Sequence, residues 1–378
     1  MSDKSLVAGF EKVVERFLNQ AVYSASPDSE SPFFPRLIHI EPTNICNLRC
    51  VHCHHHLNEN GKPSYKRKQG IMDMDLYRSI LDEIAPLGCS VTLDTQGEPL
   101  LHPAILEMVR MAKSRGMYTS LITNATKLNA EKAKSLIEME LDRIVFSFDA
   151  ADKDVYESIR IRSDFNPTLR NILRFMQLNE LHEHKTHVCM SMVHQERNWD
   201  HVEEYKEYFS KLPVDKIFIN PMLNLCGSAG TSSEIDLAEL APESKEDWPV
   251  CRIPWENLTV NWDGLVTACP VDVNVVAPVG DVNKSSLVDI WNCEKMRNFR
   301  NAHLNRRYEG IETNGPLCSV CNCKFDSEYD LSRYSKYAVK AIAREALHYA
   351  KYLGENVEVK RDMGNQDFLE FELKRLEP

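Results

Sequence analysis

Three thiols fall within eight residues, Cys46-Asn-Leu-Arg-Cys50-Val-His-Cys53, directly after the strand-like run Arg36-Leu-Ile-His-Ile-Glu. Cysteine thiolates are the usual ligands of iron–sulfur clusters, and three on one loop can take three corners of a cubane. No fourth cysteine is near them, so one iron is left to bind something other than protein, as a reactive cluster requires. Structural zinc, or burial without a ligand, would use the same residues. A second set lies far down the chain. Cys251 and Cys269 bracket Leu258-Thr-Val-Asn-Trp-Asp-Gly-Leu-Val-Thr-Ala, and Cys318-Ser-Val-Cys321 follows. Asp263-Gly264 between β-rich runs predicts a hairpin with a type I′ turn, which returns Cys269 toward Cys251. With Cys318 and Cys321 this makes four ligands for one site, a set that suits tetrahedral zinc as well as a cluster.

The C-x3-C-x2-C spacing resembles the signature of the radical S-adenosylmethionine (radical SAM) superfamily. That resemblance implies a [4Fe–4S] cluster on Cys46, Cys50 and Cys53 whose open iron chelates the methionine part of SAM. Gly97-Glu98-Pro99 resembles the family's G-E-P motif, which holds the SAM amino group through a carbonyl or carboxylate. Asn124 lies in Thr-Asn-Ala, similar to T-N-G, and Ser147-Phe-Asp149-Ala is similar to S-x-D-G. By the resemblance, Ser147 and Asp149 bond the ribose hydroxyls or the methionine end of SAM, and Arg160 pairs with a carboxylate. Helix caps or surface ion pairs are the ordinary alternatives for these four residues. His52 stands where the family shows an aromatic residue, and its planar ring can still lie against adenine. His54, His55 and His56 read as polar surface facing solvent or substrate, in preference to a metal site.

The C-terminal set resembles the auxiliary-cluster domains called SPASM and its shortened form, Twitch. Only Cys323 follows Cys321, so the resemblance implies a single auxiliary [4Fe–4S] cluster on Cys251, Cys269, Cys318 and Cys321. Cys89, Cys189, Cys293 and Cys323 read as small buried hydrophobes. Cys226, after the sixth strand, is either inert or a hydrogen donor to a substrate radical.

The implied chemistry is reductive cleavage of SAM to a 5′-deoxyadenosyl radical that abstracts hydrogen from an unactivated C–H. An auxiliary cluster accepting the next electron would turn an alcohol radical into a ketone, whereas a thiol donor would give epimerisation. One auxiliary site resembles an enzyme that oxidises an aminocyclitol alcohol, so the expected substrate is a small polyol, sugar or aminocyclitol of natural-product biosynthesis. Peptide or protein modification is the alternative, against which the roughly 35 residues before the first strand are short for a leader-binding domain. A zinc-stabilised binding protein without chemistry is the third reading. A flavodoxin- or ferredoxin-type protein would supply electrons.

Elements must position these loops. Apolar, β-branched runs predict strands at 36–41, 90–95, 118–123, 143–148, 186–193 and 216–220. Helical periodicity falls between them at 75–85, 104–115, 130–139, 168–181 and 199–212. Alternation of this kind implies an α/β fold of parallel strands joined by right-handed crossovers. The resemblance makes it a six-stranded partial (β/α)6 TIM-type barrel with a small C-terminal cysteine-rich domain, although a doubly wound sheet has the same beat. Loops after parallel strands carry the chemistry, and the three-cysteine loop follows the first.

The division is an N-terminal helix and loop (1–35), barrel (36–226), linker (227–250), auxiliary-cluster domain (251–333), then a helix and charged tail (334–378), with the tail expected to lack order. A net charge of −11 over 378 residues excludes the basic face of a duplex nucleic-acid binder and does not favour an acidic substrate. No apolar run approaches the ~18–20 residues that span a bilayer. Twelve cysteines without a secretory signal point to metal ligands in a reducing cytoplasm.

Overall fold

The structure is a computed structural model and describes residues 29–31, 34–56, 65–223, 244, 247–312, 314–322 and 364–376. The expected N-terminal helix, most of the 227–250 linker, the 334–353 helix, Cys226 and Cys323 lie outside the described residues.

Six strands, β1 (Leu37–Ile40), β2 (Ser90–Leu93), β3 (Thr119–Thr123), β4 (Arg143–Ser147), β5 (His187–His194) and β6 (Lys216–Pro221), pair in parallel. Their spatial order is their sequence order. A doubly wound sheet reverses direction at a switch point. Here the order never reverses, so every right-handed crossover falls on one face and the sheet curls as a barrel wall.

The side-chain period of two divides each strand. Ile38, Ile40, Val91, Leu93, Leu121, Ile144, Phe146, Val188 and Met190 are fully buried against the surrounding helices. Tyr77, Ile80, Leu81 and Ile84 of Met74–Ile84 form one such apolar stripe, and Asp73 caps that helix by accepting from the amides of Asp75 and Leu76. The alternate positions His39, Ile122, Ser147, Ser191 and Asn220 line an interior cleft instead.

The sheet does not stop at β1. β7 (Asn257–Val260) of the C-terminal part pairs in parallel with β1, and β8 (Leu265–Thr267) and β9 (Pro278–Asp281) extend it antiparallel. The sheet therefore has nine strands, ordered β6-β5-β4-β3-β2-β1-β7-β8-β9.

Two expectations change. The β7–β8 turn is not type I′: Gly264 has φ +89°, but Asp263 is not among the described residues with positive φ. The chain uses a longer loop in which the Gly264 amide bonds the Asn261 carbonyl. The charged tail is also ordered in part. Residues Gly364–Arg375 form a helix, Leu369 and Leu376 are buried, and Tyr208 Oη donates to Glu372 at 2.6 Å.

Candidate functional site

The three-cysteine loop is held from both sides. Behind it, the Asn44 side chain donates to the Tyr65 hydroxyl (2.6 Å) and the Lys68 carbonyl (2.8 Å), and accepts from the Gly70 amide (2.8 Å). In front, the Arg49 and Val51 amides bond the carbonyls of Ile161 and Ile159, each at 3.0 Å. Between these ties the chain turns tightly, with the Cys53 amide on the Cys50 carbonyl at 3.0 Å.

Gly97 lies beneath the loop. A Cβ built on it would stand 2.1 Å from the Thr43 carbonyl oxygen and 2.8 Å from that of Ile45, so only glycine permits this approach. The next amide, Glu98, bonds the Ile45 carbonyl at 2.9 Å.

The Glu98 carboxylate is a brace. It is 2% exposed and accepts from Thr123 Oγ1 (2.6 Å), the Asn124 amide (2.7 Å) and the Leu100 amide (3.0 Å). Burial raises its pKa and these hydrogen bonds offset only part of that rise. Its oxygens tie the ends of β2 and β3 together, which places Asn124 Nδ2 4.0 Å from Cys46 Sγ.

Asp149 also acts from behind the cleft. Fully buried, it accepts from Arg160 Nε at 2.6 Å and from the Val193 amide at 2.9 Å, and stands 3.9 Å from His52 Nδ1. Burial would raise its pKa, but the Arg160 and His52 charges together with the hydrogen bonds from Arg160 and the Val193 amide outweigh burial and hold the carboxyl below its ordinary range. The Arg160 charge in turn offsets part of the rise that burial imposes on the Cys50 thiol.

Cys46, Cys50, His52, Cys53, Gly97, Glu98, Asn124, Ser147 and Arg160 all line one cleft of about 410 Å³. Its opposite wall comes from the auxiliary part, through Pro270, Val271 and Val273 beside Cys269. Gln96 Nε2 clasps the two walls by donating to the Pro270 carbonyl at 2.7 Å. Of the three histidines after Cys53, His54 and His55 are buried and line the cleft, so of the two expected settings they take the substrate-facing one. His56 is half-buried on the Arg49 carbonyl. His54, His55 and Tyr65 pack their rings at 4.4–4.9 Å, and the His55 ring bonds the Gln96 carbonyl at 2.7 Å.

Burial pushes the Cys46 and Cys53 thiols up to about 12 and raises Cys50 as well. Bare thiolates are therefore unstable here, whereas a bound cation reverses that preference, so the donor set fits an iron–sulfur cluster. The C-terminal thiols behave alike. Burial raises Cys251, Cys269 and Cys318, and charge from the other thiols of the set adds to the rise.

The structure also shows residues that motif reading missed: His39, Asp94, Ser191 and Asn220 complete the polar lining. A histidine at an alternate position of an otherwise apolar strand, and an aspartate directly after another strand, were the available signals.

The family model of the Radical SAM superfamily matches residues 40–212, and that of the SPASM iron–sulfur cluster-binding domain matches residues 251–324. The chain belongs to the radical SAM superfamily and carries a C-terminal SPASM domain. Its cofactors are those of a radical SAM enzyme: iron–sulfur clusters and SAM. That displaces the reading of a zinc-stabilised protein without chemistry. Radical SAM enzymes act on a substrate and need a reductant.

A Pyrococcus furiosus relative, the tungsten-containing aldehyde ferredoxin oxidoreductase cofactor-modifying protein, is 25% identical over 329 residues, spanning 76% of this chain and 88% of its own. An AdoMet-dependent heme synthase of Methanosarcina barkeri is 32% identical over 139 residues, 36% of this chain and 38% of its own. Among solved structures, BtrN in complex with AdoMet and 2-DOIA matches with TM-score 0.52 at 18% identity, over 76% of this chain and 93% of that one. Native anSMEcpe with bound AdoMet matches with TM-score 0.56 at 18% identity, over 85% and 100%. These likenesses show the shared radical SAM fold. Among the described residues no helix is long and apolar enough to cross a membrane.

Proposed function

We propose that the chain is a cytoplasmic radical SAM oxidoreductase that removes hydrogen from a C–H beside a hydroxyl of a small polyol, sugar or aminocyclitol. The observation that carries this reading is a set of polar side chains on an otherwise mainly apolar lining: His39, Asp94, Ser191 and Asn220 all face the cleft that bears the cysteine loop. These groups already pair as His39–Asp94 and Asn220–Ser191, and a hydroxylated substrate would engage their remaining donors and acceptors, which an aliphatic one cannot.

Cys46, Cys50 and Cys53 would hold the reactive cluster, and Cys251, Cys269, Cys318 and Cys321 one auxiliary cluster. When bound, SAM and these clusters supply a carbon-centred radical and an acceptor for one electron. The chain supplies position. Gly97 brings the cleft floor up to the cysteine loop, Glu98 fixes the Thr123–Asn124 corner, and Asp149 aims Arg160. His52, Asn124, Ser147 and Arg160 would contact SAM. Pro270, Val271 and Val273 form an apolar wall that excludes water from the reacting carbon. A flavodoxin- or ferredoxin-type protein would provide the reducing electron. Peptide modification is the second reading, supported by 27% identity over 125 residues to the PqqA peptide cyclase of Rhodopseudomonas palustris.

The test uses reconstituted, reduced enzyme with carbon-deuterated cyclitols, aldoses and short peptides as probes. Deuterium is expected in 5′-deoxyadenosine from a cyclitol or sugar. Transfer from peptides alone would overturn the reading.

A further inference from the structure

We infer that His39, held by Asp94, accepts the hydroxyl proton of the substrate, beside the loop that carries the substrate's electron away. This deepens the alcohol reading above and rests on it. His39 projects from β1 into the cleft, and its Nδ1 lies 3.0 Å from both Asp94 oxygens. A carboxylate at that distance fixes the tautomer with Nδ1 as donor, which leaves Nε2 as the acceptor. No protein group among the described residues bonds Nε2.

The register places this imidazole with purpose. His39 pairs with Thr259 on β7, and Thr259 pairs with Thr267 on β8. Thr267 Oγ1 then donates to the Cys269 carbonyl at 3.1 Å. His39 and the start of the Cys269 loop are thus two strand spacings apart, roughly 10 Å. Loss of a hydrogen atom from the carbinol carbon leaves its O–H intact. The O–H proton passes to His39 Nε2, one electron passes to an acceptor of the iron–sulfur class, and the C–O bond becomes C=O.

Electrostatics separate His39 from the other imidazoles of the cleft. Burial lowers His52 to about 4 and also lowers His54 and His55. Burial alone would lower His39 too, but the Asp94 charge and hydrogen bond raise it above the ordinary 6.5. The other ionisable groups facing the cleft are Glu98, Arg160 and the thiols of Cys46, Cys50 and Cys53, and the charge that acts on His39 is that of Asp94. A base matched to neutral pH is what proton transfer requires.

The test compares wild type, His39→Gln and Asp94→Asn as reconstituted holoenzyme, with a carbon-deuterated cyclitol as probe in single turnover. The ratio of ketone to deuterated 5′-deoxyadenosine should fall at least tenfold in His39→Gln. In Asp94→Asn the ascending limb of ketone formation should move to lower pH. A second readout needs no turnover: in oxidised holoenzyme labelled with 15N-histidine, the resonance missing from His39→Gln should titrate above pH 6.5 and shift downward in Asp94→Asn. A ratio in His39→Gln within twofold of wild type overturns the proposal. So does a parallel fall of ketone and 5′-deoxyadenosine, or an imidazole that does not titrate above 6.5. If wild type itself transfers no deuterium from any alcohol, the substrate reading fails and takes this proposal with it, so wild type alone tells the two failures apart.

Discussion

Gly97→Ala should damage the cluster loop without touching a cysteine. The added methyl would stand 2.1 Å from the Thr43 oxygen, more than an ångström inside the ~3.5 Å at which nonbonded heavy atoms rest. Both obstructing atoms, on Thr43 and Ile45, are backbone, so no side chain can swing away. The loops must part, and the neighbouring Glu98 amide to Ile45 carbonyl bond, now 2.9 Å, is the first to break. Overpacking costs about 1–3 kcal/mol and a buried hydrogen bond about 1 kcal/mol, giving roughly 2–4 kcal/mol together. At on the order of 2 °C per kcal/mol for a chain this large, melting should fall by about 4–8 °C. Cys46 follows Ile45, so the first thiol moves with the displaced backbone and iron retention should drop. Gly88→Ala is the control: it has φ +70° and nothing within 4 Å of the added carbon, so its cost is backbone strain of ~1 kcal/mol with no effect on iron. Anaerobic reconstitution, iron analysis and thermal melting read both effects. Equal iron and melting within 1 °C for the two variants would refute the close-approach argument.

Other perturbations probe other parts. Arg160→Met leaves the Asp149 carboxylate buried without its cation and should cost about 3–5 kcal/mol, while adding Asp149→Asn should restore part of it, a coupling that denaturation of the single and double variants measures. Asp215 accepts from His184 Nε2 and the Val188 amide; burial would raise its pKa, but those bonds lower it below the ordinary value. Its folded pKa lies below the unfolded ~3.9, so its stabilisation is present above about pH 4 and lost as pH falls through the folded value. Urea midpoints of Asp215→Asn and wild type should therefore differ at pH 6 and converge in acid; a gap that persists at low pH would contradict the assignment. Changing Cys46, Cys50 and Cys53 together to Ala should lower the iron count from roughly eight to about four, since each cubane holds about four irons. Arg300 is fully buried and donates to the carbonyls of Pro254, Ser29 and Trp291 and to Asn292 Oδ1, so Arg300→Met should lower the melting temperature by several degrees at roughly 1–3 kcal/mol per stranded acceptor, partly rehydrated.

The six parallel strands were legible because buried parallel strands read as compact apolar runs, and their observed ends fall within two residues of the expected ones. The cysteine loop and Gly97 were legible for a related reason: a tight turn and a thiol triad leave a local imprint. What local pattern cannot carry is pairing at long range. Nothing in Asn257–Val260 says that its partner is β1, and without that register the relation of His39 to Cys269 cannot be drawn. Asp149 and Glu98 look like ligand-facing acids in sequence, and only the fold shows that their oxygens are occupied by the protein itself. The terminal helix escaped because Phe368, Leu369 and Leu373 are embedded in charge, and its docking depends on Tyr208 and Arg170 far upstream.

The β1–β7 pairing also bears on how the chain comes together during synthesis. The two strands are separated by more than two hundred residues, so β7 leaves the ribosome some 10–40 s after β1 at typical elongation rates of ~5–20 residues per second. Throughout that interval one side of the strand that launches the cysteine loop has open backbone donors and acceptors, a template for any other extended segment. The closing step joins segments more than two hundred residues apart, and contacts of such separation form slowly. Chains cut short before Asn257 should therefore self-associate through β1 during expression, whereas a fragment carrying β7–β9 supplied in trans should suppress that association by capping the strand.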